Sequence, residues 1–126
     1  RCASAMLLDT TFFIDLADEL QSGTAGPCRA FLEKHRRREK FASVVTLGEY
    51  AVGATAAEAR RFFRGYGRLA LGRDLAIYAG RFQAGFPFAL GENDLWIAAT
   101  ARYYGLSLVT RDKAFSRVPG LRVTGY

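Results

Sequence analysis

Gly91-Glu92-Asn93-Asp94-Leu95-Trp96-Ile97-Ala98-Ala99-Thr100-Ala101 reads as a helix about to be buried, with an acid on its buried side. Ile97, Ala98 and Ala101 follow Asp94 by three, four and seven positions, so a helix puts all of them on one face. Burying a carboxylate costs several kcal/mol unless something compensates. The positive end of the helix dipole would do so, and so would a bound cation. This stretch alone leaves both open.

Working outward, Gly105 stops that helix and Leu106-Ser107-Leu108-Val109-Thr110 reads as a buried strand, with Asp112 just beyond it. A turn of helix through Phe115 and a last strand around Leu121-Arg122-Val123 follow. Upstream, Asp74 is placed as the cap of a helix holding Leu75, Ile77, Tyr78 and Phe82, broken at Gly85-Phe86-Pro87. Leu69-Ala70-Leu71 is a short strand candidate. Before it, a helix over 56–66 should carry Phe62, Phe63 and Tyr66 inward, with Arg60, Arg64 and Arg68 recurring every four residues as a basic ridge.

At the start, Met6-Leu7-Leu8-Asp9 is an apolar strand ending in an acid, then a turn capped by a threonine and an amphipathic helix from Phe12 to Leu20 closing at Gly23. A second helix begins near Ala25 or Pro27 and ends in Arg36-Arg37-Arg38, where cations suit a helix C-terminus. Phe41 to Val45 is the next strand, followed by Thr46-Leu47-Gly48-Glu49, a Thr-x-x-Glu capping-box pattern. Strands alternating with helices predict a three-layer α/β/α sandwich with a mainly parallel central sheet, a single domain over residues 6–126. Met6 is a candidate start, which would leave residues 1–5 as upstream or added sequence.

The chain has 126 residues, half of them apolar and 10 of them Phe, enough for one core. No apolar run approaches the roughly 20 residues of a membrane span, and no secretory signal is evident. Cys2 and Cys28 are too few for a disulfide framework, which favours a reducing cytoplasm with Cys28 facing the core. The net charge of +6 is uneven: residues 29–73 hold 11 Lys or Arg against Glu33, Glu39, Glu49 and Glu58. Residues 1–28 hold one Arg against Asp9, Asp15, Asp18 and Glu19. A cationic face beside an acidic region suits a nucleic-acid enzyme, and a solvated helix surface gives the same count.

Asp9, Glu49 and Asp112 all fall beyond strand ends, at the edge where open α/β sheets bind ligands, and Asp94 joins them from a helix start. Each has an ordinary structural role as a turn or cap residue. Together they repel, by roughly 4 kcal/mol for a pair about 4 Å apart at an effective dielectric of 20, so protons or a divalent cation must intervene. Oxygen ligands point to Mg²⁺ or Mn²⁺, while a single His35 in a basic run and two remote cysteines argue against zinc. Such a site suits hydrolysis of a phosphodiester by an activated water.

In order, Leu7-Leu8-Asp9-Thr10, Ser43-Val44-Val45-Thr46-Leu47-Gly48-Glu49, Asn93-Asp94-Leu95-Trp96-Ile97-Ala98-Ala99-Thr100-Ala101 and Leu108-Val109-Thr110-Arg111-Asp112-Lys113-Ala114-Phe115 resemble the motifs of the PIN-domain ribonucleases, the VapC toxins of toxin-antitoxin modules above all. The resemblance implies a Mg²⁺- or Mn²⁺-dependent endoribonuclease, a homodimer, and an antitoxin partner that blocks the site. It carries the family's acids onto Asp9, Glu49, Asp94 and Asp112, with Asp9, Asp94 and Asp112 as metal ligands and Glu49 acting on water. Thr10, Thr11, Asn93 and Thr110 are the expected supporting polar residues. Thr11 stands where the first motif commonly has Asn or Ser, and no further acid follows Asp112 in Lys113-Ala114-Phe115-Ser116, which favours one firmly held ion with a second arriving with substrate.

Arg36, Arg37, Arg38, Arg60, Arg64 and Arg68 are the candidate RNA path. The aromatics Phe12, Phe13, Trp96 and Tyr103 are assigned to core or dimer surface. The competing reading is a PIN-like RNA-binding or scaffold domain that has lost turnover, for which Thr11 is the one hint. Phosphoryl transfer through an aspartyl nucleophile at Asp9 is weaker, because Thr11 stands where such enzymes need a second acid.

Overall fold

A computed structural model describes residues 5–126; Cys2 and the other residues before Ala5 lie outside the described part. In chain order the elements are β1 (Met6–Leu8), α1 (Thr10–Ser22), α2 (Pro27–Lys34), β2 (Lys40–Ser43), α3 (Val44–Ala51), α4 (Ala56–Phe62) and β3 (Gly67–Leu69). Then come α5 (Arg73–Ala84), α6 (Glu92–Tyr104), β4 (Ser107–Val109), a 3-10 turn (Lys113–Arg117) and β5 (Val123–Thr124). The strands form one sheet in the order β3-β2-β1-β4-β5, and every pairing is parallel.

Alternation along β1 generates the layers. Met6 and Leu8 point to one side and Leu7 to the other, and all three are fully buried. On the first side they meet Phe12, Phe13 and Leu16 of α1, Cys28 and Phe31 of α2, and Phe63. On the second, Leu7 and Leu108 meet Ile97, Ala98 and Ala101 of α6, with Phe82 of α5 against the same cluster. The result is the α/β/α sandwich, a sheet covered on both faces as parallel sheets require. Phe13 anchors the first core, with edge-to-face contacts to Phe12, Phe62, Phe63 and Tyr66 at centroid distances of 4.8–6.0 Å.

Several expected boundaries move, each for a local reason. Strand β2 stops at Ser43 because its hydroxyl accepts from the Val45 amide at 3.0 Å and starts α3 there, so Val44 and Val45 are helical. The Thr46–Glu49 capping box therefore does not form; the real one is Thr55–Glu58 at the start of α4. Asp9, not a threonine, caps α1 by accepting from Thr10 N. The helix expected over 56–66 ends at Phe62, where the chain turns to drop Phe63 into the core at 1 % exposure. Arg60 is thus helical, Arg64 lies in a turn and Arg68 in β3, so no ridge exists. Strand β3 begins at Gly67, where a Cβ would come within 2.5 Å of the Phe41 ring; only glycine allows that approach. Helix α5 is capped by Gly72 rather than Asp74, which sits in its first turn, and the last strand shifts to Val123–Thr124.

Helix α6 spans the opening stretch, from Gly91 at its N-cap to Gly105, whose φ of +68° is the left-handed turn that glycine favours. The short connection to β4 makes α6 run against the strands, so its first turn lies at their C-terminal edge.

Candidate active site

All strands are parallel, so their C-terminal ends share one edge, and four of the chain's acids reach it from four places. Asp9 leaves β1, Asp112 follows β4, Glu49 comes from α3 directly after β2, and Asp94 comes from the first turn of α6. Register fixes the first two: Leu8 pairs with Val109, and the Asp9 amide donates to the Val109 carbonyl at 3.0 Å.

Threonines tie the edge together. Asp9, only 3 % exposed, accepts from the Thr110 hydroxyl at 2.7 Å and the Thr11 hydroxyl at 3.0 Å on Oδ2, and from Thr10 N at 2.7 Å on Oδ1. A carboxylate offers about four lone-pair positions, so one remains on Oδ1 for an outside ligand. The Thr110 oxygen also accepts from the Asp112 amide at 3.0 Å, linking the first and last acids through one buried hydroxyl. Asp112 in turn caps the 3-10 turn by accepting from Ala114 N at 2.9 Å.

Glu49 is held on both oxygens. Thr10 donates its hydroxyl to Oε1, and Asn93 donates Nδ2 to Oε2 at 2.8 Å. Because Thr10 has one hydroxyl proton and gives it to Glu49, the 2.9 Å contact between Thr10 and Thr46 must have Thr46 as donor. Thr46 is fully buried and belongs to this network. Its sequence pattern had suggested a helix cap, which masked that role.

The electrostatics match a crowded acidic edge. Burial pushes the Asp9 carboxyl above its ordinary range; the bonds from Thr110, Thr11 and Thr10 pull against that, and the nearby Asp112 charge adds to it. Asp94 is also raised, first by burial and then by Asp9, Asp112 and Glu49. Burial and the neighbouring acids thus both act against the positive helix N-terminus, which favours the ionised carboxylate.

Among the described residues, no three or more His, Cys, Asp or Glu side chains converge into a ready ion cage. Asp9, Asp94 and Asp112 are therefore not a direct three-ligand set as the chain stands. The donors are nevertheless all oxygen, Asp9 keeps an open lone pair, and Asp94 feels all three neighbours. That fits a hydrated hard ion such as Mg²⁺, which keeps several waters and takes one or two carboxylates directly.

A fifth acid, Asp15 of α1, braces the segment between Thr110 and Asp112. It accepts from Arg111 Nε at 2.7 Å and from the Tyr126 hydroxyl at 2.7 Å. Burial pushes its carboxyl up, but the bonds from Arg111 and Tyr126 outweigh that and hold it below the usual range. Tyr126 rests edge-to-face on Phe12 with centroids 4.8 Å apart. No spacing in the sequence links residues 15, 111 and 126.

The candidate RNA path is not at this edge. Arg36, Arg37 and Arg38 occupy the turn that leads into β2, and Arg64 the turn into β3, at the N-terminal edge of the strands. Arg60 lies in the last turn of α4, whose C-terminal end leads into that same turn before β3, while Arg68 lies on the edge strand β3. Strands of three or four residues rise about 10 Å, so the sheet separates most of these cations from the acids. Phe12 and Phe13 are core as expected, while Tyr103 is 44 % exposed and stacks edgewise on Tyr78 and Tyr104.

A five-stranded parallel sandwich with a threonine-laced acidic edge defines a class of α/β domain, and sequence comparison names it. The PIN domain family model matches residues 6–121, so the chain belongs to the PIN domain family. A search of curated proteins finds no significant match. Among solved structures, the DNA-bound VapBC from Salmonella typhimurium is similar at 25% identity and a TM-score of 0.74, over 96% of this chain and 97% of that one. A toxin-antitoxin complex from Klebsiella pneumoniae matches at 25% identity and 0.69, covering 94% and 95%. VapBC2 from Rickettsia felis, bound to a promoter DNA fragment, matches at 21% identity and 0.75, covering 96% and 98%, a likeness of fold. Among the described residues, no helix is long and apolar enough to cross a membrane.

Proposed function

We propose that this protein is a Mg²⁺- or Mn²⁺-dependent endoribonuclease and the toxin of a toxin-antitoxin module. The observation that carries the reading is the meeting of Asp9, Glu49, Asp94 and Asp112 at one sheet edge, joined by Thr10, Thr11, Asn93 and Thr110. A PIN domain is generally a nuclease, and similarity to VapBC and other toxin-antitoxin complexes supports an antitoxin partner. A homodimer belongs to the same reading.

Asp9 and Asp94 would hold the ion, with the Asp112 carboxylate orienting its hydration. The ion supplies charge neutralisation and a more acidic water. The chain supplies orientation. Thr10 and Asn93 fix the Glu49 carboxylate from both sides, leaving it acceptor capacity to align a water and receive its proton. The non-catalytic scaffold reading rests on Thr11 alone, and that residue's hydroxyl donates to Asp9 at 3.0 Å, so it takes part in orienting the acid.

Asp94→Asn tests the assignment. With Mg²⁺ or Mn²⁺ present the parent should cut RNA, and the variant should lose at least about 100-fold in rate while keeping its circular dichroism, as removal of a key electrostatic group does. A variant as fast as the parent would sink the site. Mn²⁺ calorimetry adds a readout free of turnover: heat of binding in the parent, much reduced in the variant.

A further inference from the structure

Beside the acids lies a cleft of about 330 Å³ lined by Arg111, Asp112, Lys113, Ser116, Val123 and Tyr126, with Thr110 and Gly125 completing it. Larger clefts exist, about 560 Å³ around Ala25–Pro27 and about 400 Å³ beside Tyr103 and Tyr104, but none of the four edge acids lines either. This one shares Thr110 and Asp112 with the acidic edge itself. Its size falls within the roughly 300–1,000 Å³ of small-ligand pockets.

Its walls are of two kinds. Val123, Gly125 and the Tyr126 ring make an apolar wall, while Arg111 and Lys113 supply cations. Asp15 pins Arg111 and Tyr126 together, at 2.7 Å to each, so this wall is held before any ligand arrives. Arg111 is already partly neutralised by that pair, whereas Lys113 makes no ion pair among the described residues. A lone phosphate would be drawn to Lys113 and repelled by Asp112 one residue away. A ligand that also gains contact with a flat ring and an aliphatic side chain overcomes that repulsion, and a nucleotide combines the two parts.

We propose that this cleft is a subsite for one nucleotide of the RNA, adjoining the phosphate that is cut. Lys113 and Arg111 take the nucleotide's own phosphate, and its sugar and base lie along Tyr126, Val123 and Gly125. The proposal rests on the ribonuclease reading and adds to it a binding determinant on one side of the scissile bond.

Gly125 offers a clean test, because a Cβ built there meets nothing within 4 Å. Gly125→Leu therefore fills the cleft without invading the core, and Lys113→Gln removes the unpaired cation. Titrating isotope-labelled protein, free of divalent ions, with cytidine 5′-monophosphate should shift the Ser116 and Gly125 amides saturably, with cytidine or inorganic phosphate each binding more weakly. Gly125→Leu should abolish the effect at Ser116, and Lys113→Gln should weaken it about fivefold, the worth of one exposed charge contact. In RNA cleavage with Mg²⁺ both variants should raise KM more than they lower kcat. No saturable shift with the nucleotide, equal binding of phosphate alone, or unchanged KM in both variants overturns the subsite. If Gly125→Leu does not fold, the three-ligand comparison and Lys113→Gln still decide. Failure of the ribonuclease reading shows elsewhere, as a parent that cuts no RNA or an Asp94→Asn that cuts normally, and the proposal falls with it.

Discussion

Replacing Thr110 by valine should be far more damaging than its near-identical shape suggests. The side chain is 2 % exposed, donates to Asp9 Oδ2 at 2.7 Å and accepts from the Asp112 amide at 3.0 Å. Losing a hydrogen bond to a buried charge costs about 1.5–3 kcal/mol, and leaving a partly buried amide unpaired about 1 kcal/mol more. The sum, about 2.5–4 kcal/mol, can be converted with an unfolding entropy of about 2.1 cal/mol/K per residue over 126 residues, giving a fall in Tm of roughly 10–15 °C. Thr110→Ser keeps the hydroxyl and should lose only about 1 kcal/mol for the methyl group.

The pH dependence discriminates further. Burial raises the Asp9 carboxyl above its ordinary value of 3.8, and the Thr110 bond is the strongest force holding it down. A raised folded pKa weakens the fold once the carboxyl must be ionised, and that penalty disappears as pH falls and the folded form takes up its proton. Valine raises Asp9 further. The ionisation part of its penalty should thus be complete above the variant's folded pKa and gone below the parent's, leaving only the unpaired amide. Urea unfolding of metal-free parent, Thr110→Val and Thr110→Ser between pH 4 and 8 measures this. A valine penalty below 1 kcal/mol, or one that is flat with pH, would refute the relay between Asp9, Thr110 and Asp112.

Two further outcomes follow from the fold. Gly105→Ala should destabilise by about 1–2 kcal/mol purely through its backbone, since φ is +68° and a Cβ there meets open space; calorimetry should show Gly105→Asn recovering part of the loss. Arg64→Gln with Arg68→Gln should leave the salt dependence of binding to a short RNA unchanged, because neither comes from an element that delivers an acid to the site. A slope shallower by about 0.7 for each arginine would instead place RNA on that face.

Asp9, Asp94 and Asp112 were legible because each sits where a strand ends or a helix begins, positions that hydrophobic runs and glycines mark, whereas Glu49 lies well inside α3. Met6 to Leu8 and Leu106 to Thr110 announce buried strands, and Asp9 and Asp112 follow directly. What failed was local punctuation. Val44 and Val45 have strong strand preferences, yet Ser43 caps a helix one residue earlier, and tertiary packing overrides propensity. The same one-turn error hid Thr46, whose hydroxyl serves the acid network and not a helix end. Arg60, Arg64 and Arg68 do not form the ridge their four-residue repeat predicts, because the helix ends at Phe62, where Phe63 turns into the core. Asp15, Arg111 and Tyr126 meet only through the fold, 96 and 111 positions apart along the chain.

Whether Asp94 acts as a cap or a ligand turns on how the four acids differ. Asp9 receives three donors, Glu49 two, and Asp112 the Ala114 amide. Asp94 gains nothing comparable: burial and the charges of Asp9, Asp112 and Glu49 all act on it in one direction, against ionisation. It is also no N-cap, since Gly91 occupies that position with no side-chain bond. The chain thus fixes three of its acids with its own hydrogen bonds and leaves the fourth to be satisfied from outside, by a proton or a cation. At neutral pH a divalent ion relieves the repulsion of several carboxylates at once, whereas a proton relieves one. Asp94 is therefore the acid through which cation binding should be felt most strongly by the rest of the edge, and α6, packed by Ile97, Ala98 and Ala101 against the sheet, is the element that holds it there.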